Sequence, residues 1–369
     1  MTGRATEAVI SGVGVISACG ATGAAHLAAL DGTRPEPDRA AFNPYSVYRA
    51  APFDVAEAIP SKSDRRQMEP WQHLGVAAAR QALGDAGLMD TAALDSLYLN
   101  VCANGGAREV EVDFEVLADL RASPDPDADL VAAQARKLRP SFLLGQLSNM
   151  LAGNLAIILG VGGGARTFMG DDMAGVDAMA DAIARVAAGQ CDRIMVGGVL
   201  DAERPDLMLA QALGDRLASD AVPSVLDPAR RGVVPGSVAA FLVLERARAA
   251  QDRGAGPLAG VSPVSVAAEG PAFEDILGQV ASGPSVDAIY TSVSGAQPVT
   301  ADAVKGLRSA HPDTAVTATA DLVGHAVEAA FPFAVALSAL SVRSGREGRI
   351  LATTACESGA AALVVEAMA

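Results

Sequence analysis

The residues best placed for chemistry lie in Thr167-Phe168-Met169-Gly170-Asp171-Asp172-Met173-Ala174-Gly175. A buried-strand pattern precedes this stretch and an Ala-rich helical pattern, Met173–Ala188, follows it. A turn from strand to helix can hold a nucleophile where free helix N–H groups point. The groups at this turn are two carboxylates, Asp171 and Asp172. An acyl group carried by Asp172 would be a hydrolytically labile mixed anhydride rather than a stable thioester. Read without chemistry, the same two residues form a helix N-cap, since carboxylates favour the positive end of a helix. His325, which follows Gly324, is the other candidate, either a proton-transfer group or a satisfied structural imidazole. Cys19, Cys102, Cys191 and Cys356 are far apart, with no CxxC spacing. They predict buried reduced thiols rather than a zinc site or a disulfide framework.

These residues need a scaffold, and its outline is readable. Ala8–Ile16 is a short apolar run broken by glycines, and Trp71–Ala86 has Ala and Leu at helical spacing. Leu97–Val101, Arg193–Val199, Val238–Leu244, Val286–Ser292, Thr314–Ala318, Ile350–Thr353 and Ala361–Val365 read as strands. Gln146–Leu159, Ala301–Ser309 and Val327–Leu340 read as helices. Gly32–Ser63 and the Asp/Pro-rich Ser123–Asp129 read as loops, and Gly160–Gly164 as a plain turn. The βα order recurs in both halves, which predicts a duplicated layered α/β fold split between Glu245 and Pro257.

Composition fits this scaffold. Of 369 residues 50% are hydrophobic and only 4% aromatic, with 37 glycines, so aliphatic and small residues must build the core. A net charge of −15 argues against nucleic acid and anionic membranes as partners. No apolar run approaches the roughly 18 residues of a membrane span, and Met1–Ala8 has no signal-peptide pattern. The expected location is the cytoplasm, with no metal and no cofactor.

Several segments, in order, resemble the ketosynthases of the thiolase-like superfamily. They are the glycine-broken Ala8–Gly20, the helix ending Asp85-Ala86-Gly87-Leu88, and Asn149-Met150-Leu151-Ala152-Gly153-Asn154-Leu155. Gly189-Gln190-Cys191-Asp192 running into Gly197-Gly198 follows, then Leu226-Asp227-Pro228-Ala229-Arg230-Arg231-Gly232 with Val243-Leu244-Glu245, and finally Val323-Gly324-His325. The resemblance implies a thiolase-like fold, with duplicated βα halves over residues 1–250 and 251–369 in five layers, α-β-α-β-α. It also implies a catalytic set of one Cys and two His. Asp172 stands where that cysteine belongs, and Val293 or a neighbouring serine takes the place of the first histidine. Only His325 survives. The family lysine before Gly-His is absent around Ala320 and Asp321, and Ala355-Cys356-Glu357-Ser358-Gly359 replaces a Gly-Phe-Gly gating loop.

A scaffold kept while its nucleophile is lost is similar to the chain length factor of a type II polyketide synthase. That implies a non-condensing subunit in a heterodimer with a catalytic ketosynthase, which helps set polyketide chain length on an acyl carrier protein bearing a phosphopantetheine-bound acyl chain. Val112, Phe114 and Phe142 are the candidates implied for the tunnel floor. A stand-alone decarboxylase or acyltransferase using His325 is the alternative.

Overall fold

The computed structural model describes residues 7–138, 140–219, 222–267 and 270–368, without the side chains of 140–142 and 270–272. In chain order the strands are β1 (Ala8–Ile16), β2 (Asp38–Phe42), β3 (Tyr45–Val47), β4 (Tyr98–Cys102), β5 (Ala165–Phe168), β6 (Arg193–Leu200) and β7 (Val238–Arg246). They continue with β8 (Ala259–Val261), β9 (Ser265–Ala267), β10 (Ala288–Thr291), β11 (Ala315–Ala318), β12 (Arg349–Cys356) and β13 (Gly359–Glu366). The helices that matter for the site are α1 (Pro70–Ala86), α2 (Val110–Ala122), α3 (Pro126–Lys137), α4 (Asn149–Leu159), α5 (Asp172–Ala187), α6 (Gly270–Ala281), α7 (Val299–Ala310) and α8 (Ala330–Arg343).

All strands but β2 and β3 join one sheet in the order β11-β10-β12-β13-β8-β1-β7-β6-β4-β5, with β9 alongside β13. The order is internally duplicated. β4 lies parallel to β5 and β6, and β6 runs antiparallel to β7. In the same way β10 lies parallel to β11 and β12, and β12 runs antiparallel to β13. A short antiparallel ladder, Ala8↔Val261 to Ile10↔Ala259, joins the two sets.

The sheet wraps around two helices. α5 touches β4–β7 and also β12 and β13, while α8 touches β12, β13 and β10 and also β1, β6 and β7. α5 has an inward stripe of Val176, Met179, Ile183 and Val186 at helical spacing. α8 is buried on every side through Val342, as a helix between two sheets must be. On the outer faces, α1 and α4 cover one set of strands, and α6 and α7 cover the other. These are the five alternating layers of the thiolase-like fold. The glycine content has a packing reason here. A Cβ on Gly14 would lie 1.9 Å from the Ala78 carbonyl oxygen, and one on Gly12 2.2 Å from that of Ala82. Only glycine lets α1 sit this close to β1.

Two stretches expected as loops are more ordered than that. Gly32–Ser63 contains the β2–β3 hairpin and a short helix, Val55–Ala58, capped by Asp54. In Ser123–Asp129, Asp125 accepts a hydrogen bond from the Ala128 amide and Pro126 opens α3. Asp-Pro here is a helix start, because proline has no N–H to lose at the first helical position. The stretch after Ala267 holds α6.

Candidate functional site

The site assembles where the parallel strand β5 turns into α5. Asp171 is the N-cap, and its Oδ1 accepts the Met173 amide at 2.9 Å. Its Oδ2 accepts the hydroxyl of Ser358, from the β12–β13 turn. Asp172 opens the helix, is buried, and does not cap. Its Oδ1 instead accepts Nε2 of His325 at 2.7 Å. The carboxylate and the histidine that the resemblance singled out are thus bonded to each other.

His325 is fixed by its backbone. Its amide donates to the Val234 carbonyl at 2.8 Å, and its carbonyl accepts the Gly236 amide at 3.0 Å. Gly324 before it has φ +78°, and a Cβ on Gly236 would fall 1.8 Å from the Val323 oxygen. Two glycines at one crossing therefore deliver the imidazole to Asp172. Burial pulls the His325 pKa down, and the charge and hydrogen bond of Asp172, with Glu328 behind it, pull it up. The net effect on His325 is upward.

Glu328 is a third member of the site that sequence reasoning missed. It lies in the 3₁₀ turn Val327–Ala329 and is 1% exposed. Val327 before it has φ +44°, a left-handed conformation that a β-branched residue adopts at a cost of about 1–3 kcal/mol. Oε1 of Glu328 accepts the amide of Asn104, and Oε2 is buried with no partner among the described residues. Burial, and after it the charge of Asp172, pushes its pKa up to about 7, against the Asn104 amide and Arg204. The signal that could have found it is a lone carboxylate in the otherwise apolar run Ala326–Leu337.

All four thiols are held above their usual range by burial. Cys102 is fully buried at the end of β4, where its Sγ donates to the Gly197 carbonyl at 3.1 Å. Burial and Glu328 hold its pKa well above the usual thiol range. Cys356 lies half-buried beside Ser358, at 3.2 Å, and burial with the charges of Asp172 and Asp171 pushes its thiol up as well. A thiol kept protonated is a poor nucleophile. Val293 is buried in the apolar cluster of Phe273, Leu277 and Leu307 and offers no titratable atom. Among the described residues no group of three His, Cys, Asp or Glu could hold a metal ion. No helix among them is long and apolar enough to cross a membrane.

The tunnel candidates fall elsewhere. Phe114 is 67% exposed on α2, so in the lone chain it floors no cavity. Val112 is half-buried on the same helix, and the side chain of Phe142 lies outside the described residues. β5 is the last strand at its end of the sheet. Near that edge, Met169 is 63% and Ile157, on the neighbouring α4, 76% exposed.

Residues 10–250 match the family model described as "Beta-ketoacyl synthase, N-terminal domain". The chain belongs to the β-ketoacyl synthase family. The 3-oxoacyl-[acyl-carrier-protein] synthase 2 of Vibrio harveyi is 30% identical to it over 208 residues, 55% of this chain and 47% of the relative. This ketosynthase-family chain thus spans about half the length of the curated relatives it matches. The solved structure titled "The ishigamide ketosynthase/chain length factor" has a TM-score of 0.81 at 19% identity, covering 98% of this chain and 99% of that one. A type II polyketide synthase acyl-carrier protein in complex with its ketosynthase, titled AntDE:AntF, has a TM-score of 0.76 at 18% identity, covering 98% and 99%. At these identities the likeness is one of fold.

Proposed function

We propose that this chain is a non-condensing ketosynthase-like subunit that pairs with a catalytic ketosynthase and helps set polyketide chain length on an acyl carrier protein. The observation that carries this reading is the buried 2.7 Å pair between Asp172 and His325 at the turn into α5. A condensing enzyme needs a thiolate there to take the acyl chain and a free imidazole to help decarboxylate the extender and hold its enolate. Here the residue that opens the helix is a carboxylate whose Oδ1 already accepts the imidazole Nε2. The apolar side chains exposed around the open edge of β5 suit a large subunit interface. The acidic chain leaves carrier docking mainly to the partner, in a cytoplasmic complex.

The test is acyl labelling. The chain is co-purified with a ketosynthase encoded beside it, and the complex is incubated with radiolabelled acyl-carrier protein. Label on the partner's cysteine alone, with condensation by the complex and none by the isolated chain, is expected. Label on this chain, or failure to assemble with any such partner, refutes the reading.

A second reading is a stand-alone decarboxylase or acyltransferase acting through His325. It is favoured by the carboxylate–imidazole pair with Glu328 beside it, which is the equipment of acid/base catalysis. Decarboxylation of malonyl-carrier protein by the isolated chain, abolished in His325→Ala, would establish it in place of the first.

A further inference from the structure

A cleft of about 220 Å³ adjoins the backbone that holds His325 and uses none of the site's side chains. The turn Ala320–Val323 lines it through Ala320 and Asp321 and then runs into Gly324 and His325. Val234, whose carbonyl accepts the His325 amide, lines it too. So does Tyr48, pinned by its amide to the Pro235 carbonyl at 2.9 Å and by its carbonyl to the Ser237 amide at 2.8 Å.

Three arginines line this one cleft, Arg34, Arg39 and Arg230. In a chain of net charge −15 most arginines are matched with acids, as Arg49 is with Glu203, Arg204 with Asp206 and Arg343 with Asp85. These three depart from that habit. Arg34 and Arg39 are exposed, and among the described residues neither has a carboxylate within ion-pair distance. Arg230 is almost fully buried, and backbone carbonyls position it. Its Nε donates to Gly232 at 2.8 Å and its Nη1 to Pro223 at 2.9 Å. Two acids share the cleft. Glu36 is exposed at its rim, and the two oxygens of Asp321 already accept the Ser224 hydroxyl at 2.5 Å and the Val225 amide at 2.8 Å.

We propose that this cleft binds a compact phosphorylated anion. A planar carboxylate fills one guanidinium fork, whereas the tetrahedral oxygens of a phosphate group accept donors from several directions. The volume suits one or two phosphoryl groups rather than an extended polyanion. The acidic surface elsewhere is screened beyond about 8 Å at physiological ionic strength, so inside the cleft three arginines stand against two acids, one of which, Asp321, also acts on Arg230. The same overall charge suppresses adventitious anion binding over the rest of the molecule.

The experiment is isothermal titration of the full chain with inorganic pyrophosphate, and with citrate for comparison. One saturable pyrophosphate site is expected, weakened at least tenfold in Arg34→Ala/Arg39→Ala. Both residues are exposed, so that variant keeps the fold, which an unchanged thermal midpoint checks. The control Arg121→Ala/Arg136→Ala removes two exposed arginines elsewhere and is expected to bind as the parent does. Absence of saturable binding, or equal weakening by the control pair, overturns the proposal. Citrate binding as tightly as pyrophosphate overturns the phosphate assignment.

Discussion

Replacing Glu328 with glutamine should flatten the pH dependence of stability, by an amount that follows from the carboxyl's surroundings. The carboxyl titrates near 4.5 in an unfolded chain and at about 7 in the fold, where it is buried beside Asp172. Between these values the native state holds a proton that the unfolded state has lost. Stability therefore falls as pH rises, by about 1.4 kcal/mol per pH unit, and the full loss across the window is roughly 3 kcal/mol. The contribution is wholly present below pH 4.5 and gone above about 7. His325, whose pKa is also raised, acts in the same direction, losing its contribution as pH rises past its folded value. Glutamine cannot titrate, and its amide inherits the orphaned environment of Oε2, at a constant cost of about 1–3 kcal/mol. The diagnostic is accordingly the slope and not the absolute stability. Urea denaturation at half-unit steps from pH 5 to 8 should show the parent losing about 1 kcal/mol per unit more than Glu328→Gln. Parallel curves for the two proteins would refute the argument, since they would mean that Glu328 is ionised throughout and already compensated.

Three further variants test the same geometry. Asp172→Asn removes the main charge that raises the His325 pKa and leaves burial opposed only by Glu328, so the imidazole pKa should fall by NMR; an unmoved value would mean that Asp172 does not control it. The same variant should leave condensation by the assembled complex within about tenfold, because a non-condensing subunit loses no chemistry with it. Phe114→Ala should change the stability of the isolated chain by less than about 0.5 kcal/mol, since the ring is exposed, while moving the product distribution of the complex toward longer chains; unchanged product lengths would remove Phe114 from the tunnel. Ile157→Glu should weaken association at the β5 edge by at least tenfold in sedimentation, and unaltered assembly would put the interface elsewhere.

The buried strands and helices of the layered fold are legible in the sequence because each has one environment. β6 and β7 are continuous apolar runs, and α5 carries its stripe at helical spacing. What stayed hidden depends on partners far along the chain. β2 and β3 read as loop, since most of their residues are half-buried or exposed and their pairing is with each other. The start of α3 was masked by an Asp-Pro step that serves turns and helix starts equally. Asp172 and His325 were each legible as candidates, but a separation of 153 residues gives no hint that they bond. Glu328 was missed because a single carboxylate in an apolar run carries no spacing pattern. Its role exists only once α5, the 3₁₀ turn and the Asn104 loop are brought together.

The position of β1 in the sheet has a consequence for how the protein is made. Of the strands in this sheet β1 is made before the others, yet both of its hydrogen-bonding neighbours, β7 and β8, lie roughly 230 residues or more further along. At about 5–20 residues per second of synthesis, an apolar nine-residue strand waits on the order of 10–50 s before a native neighbour exists. Throughout that interval both of its edges can pair with any extended chain in reach. Its early hydrophobic shelter is α1, completed near residue 86, which Gly12 and Gly14 allow to lie flush against one face. A larger residue at either glycine would strip the nascent strand of this cover, so the damage should appear as aggregation during synthesis well before it could be measured as lost stability in the finished protein.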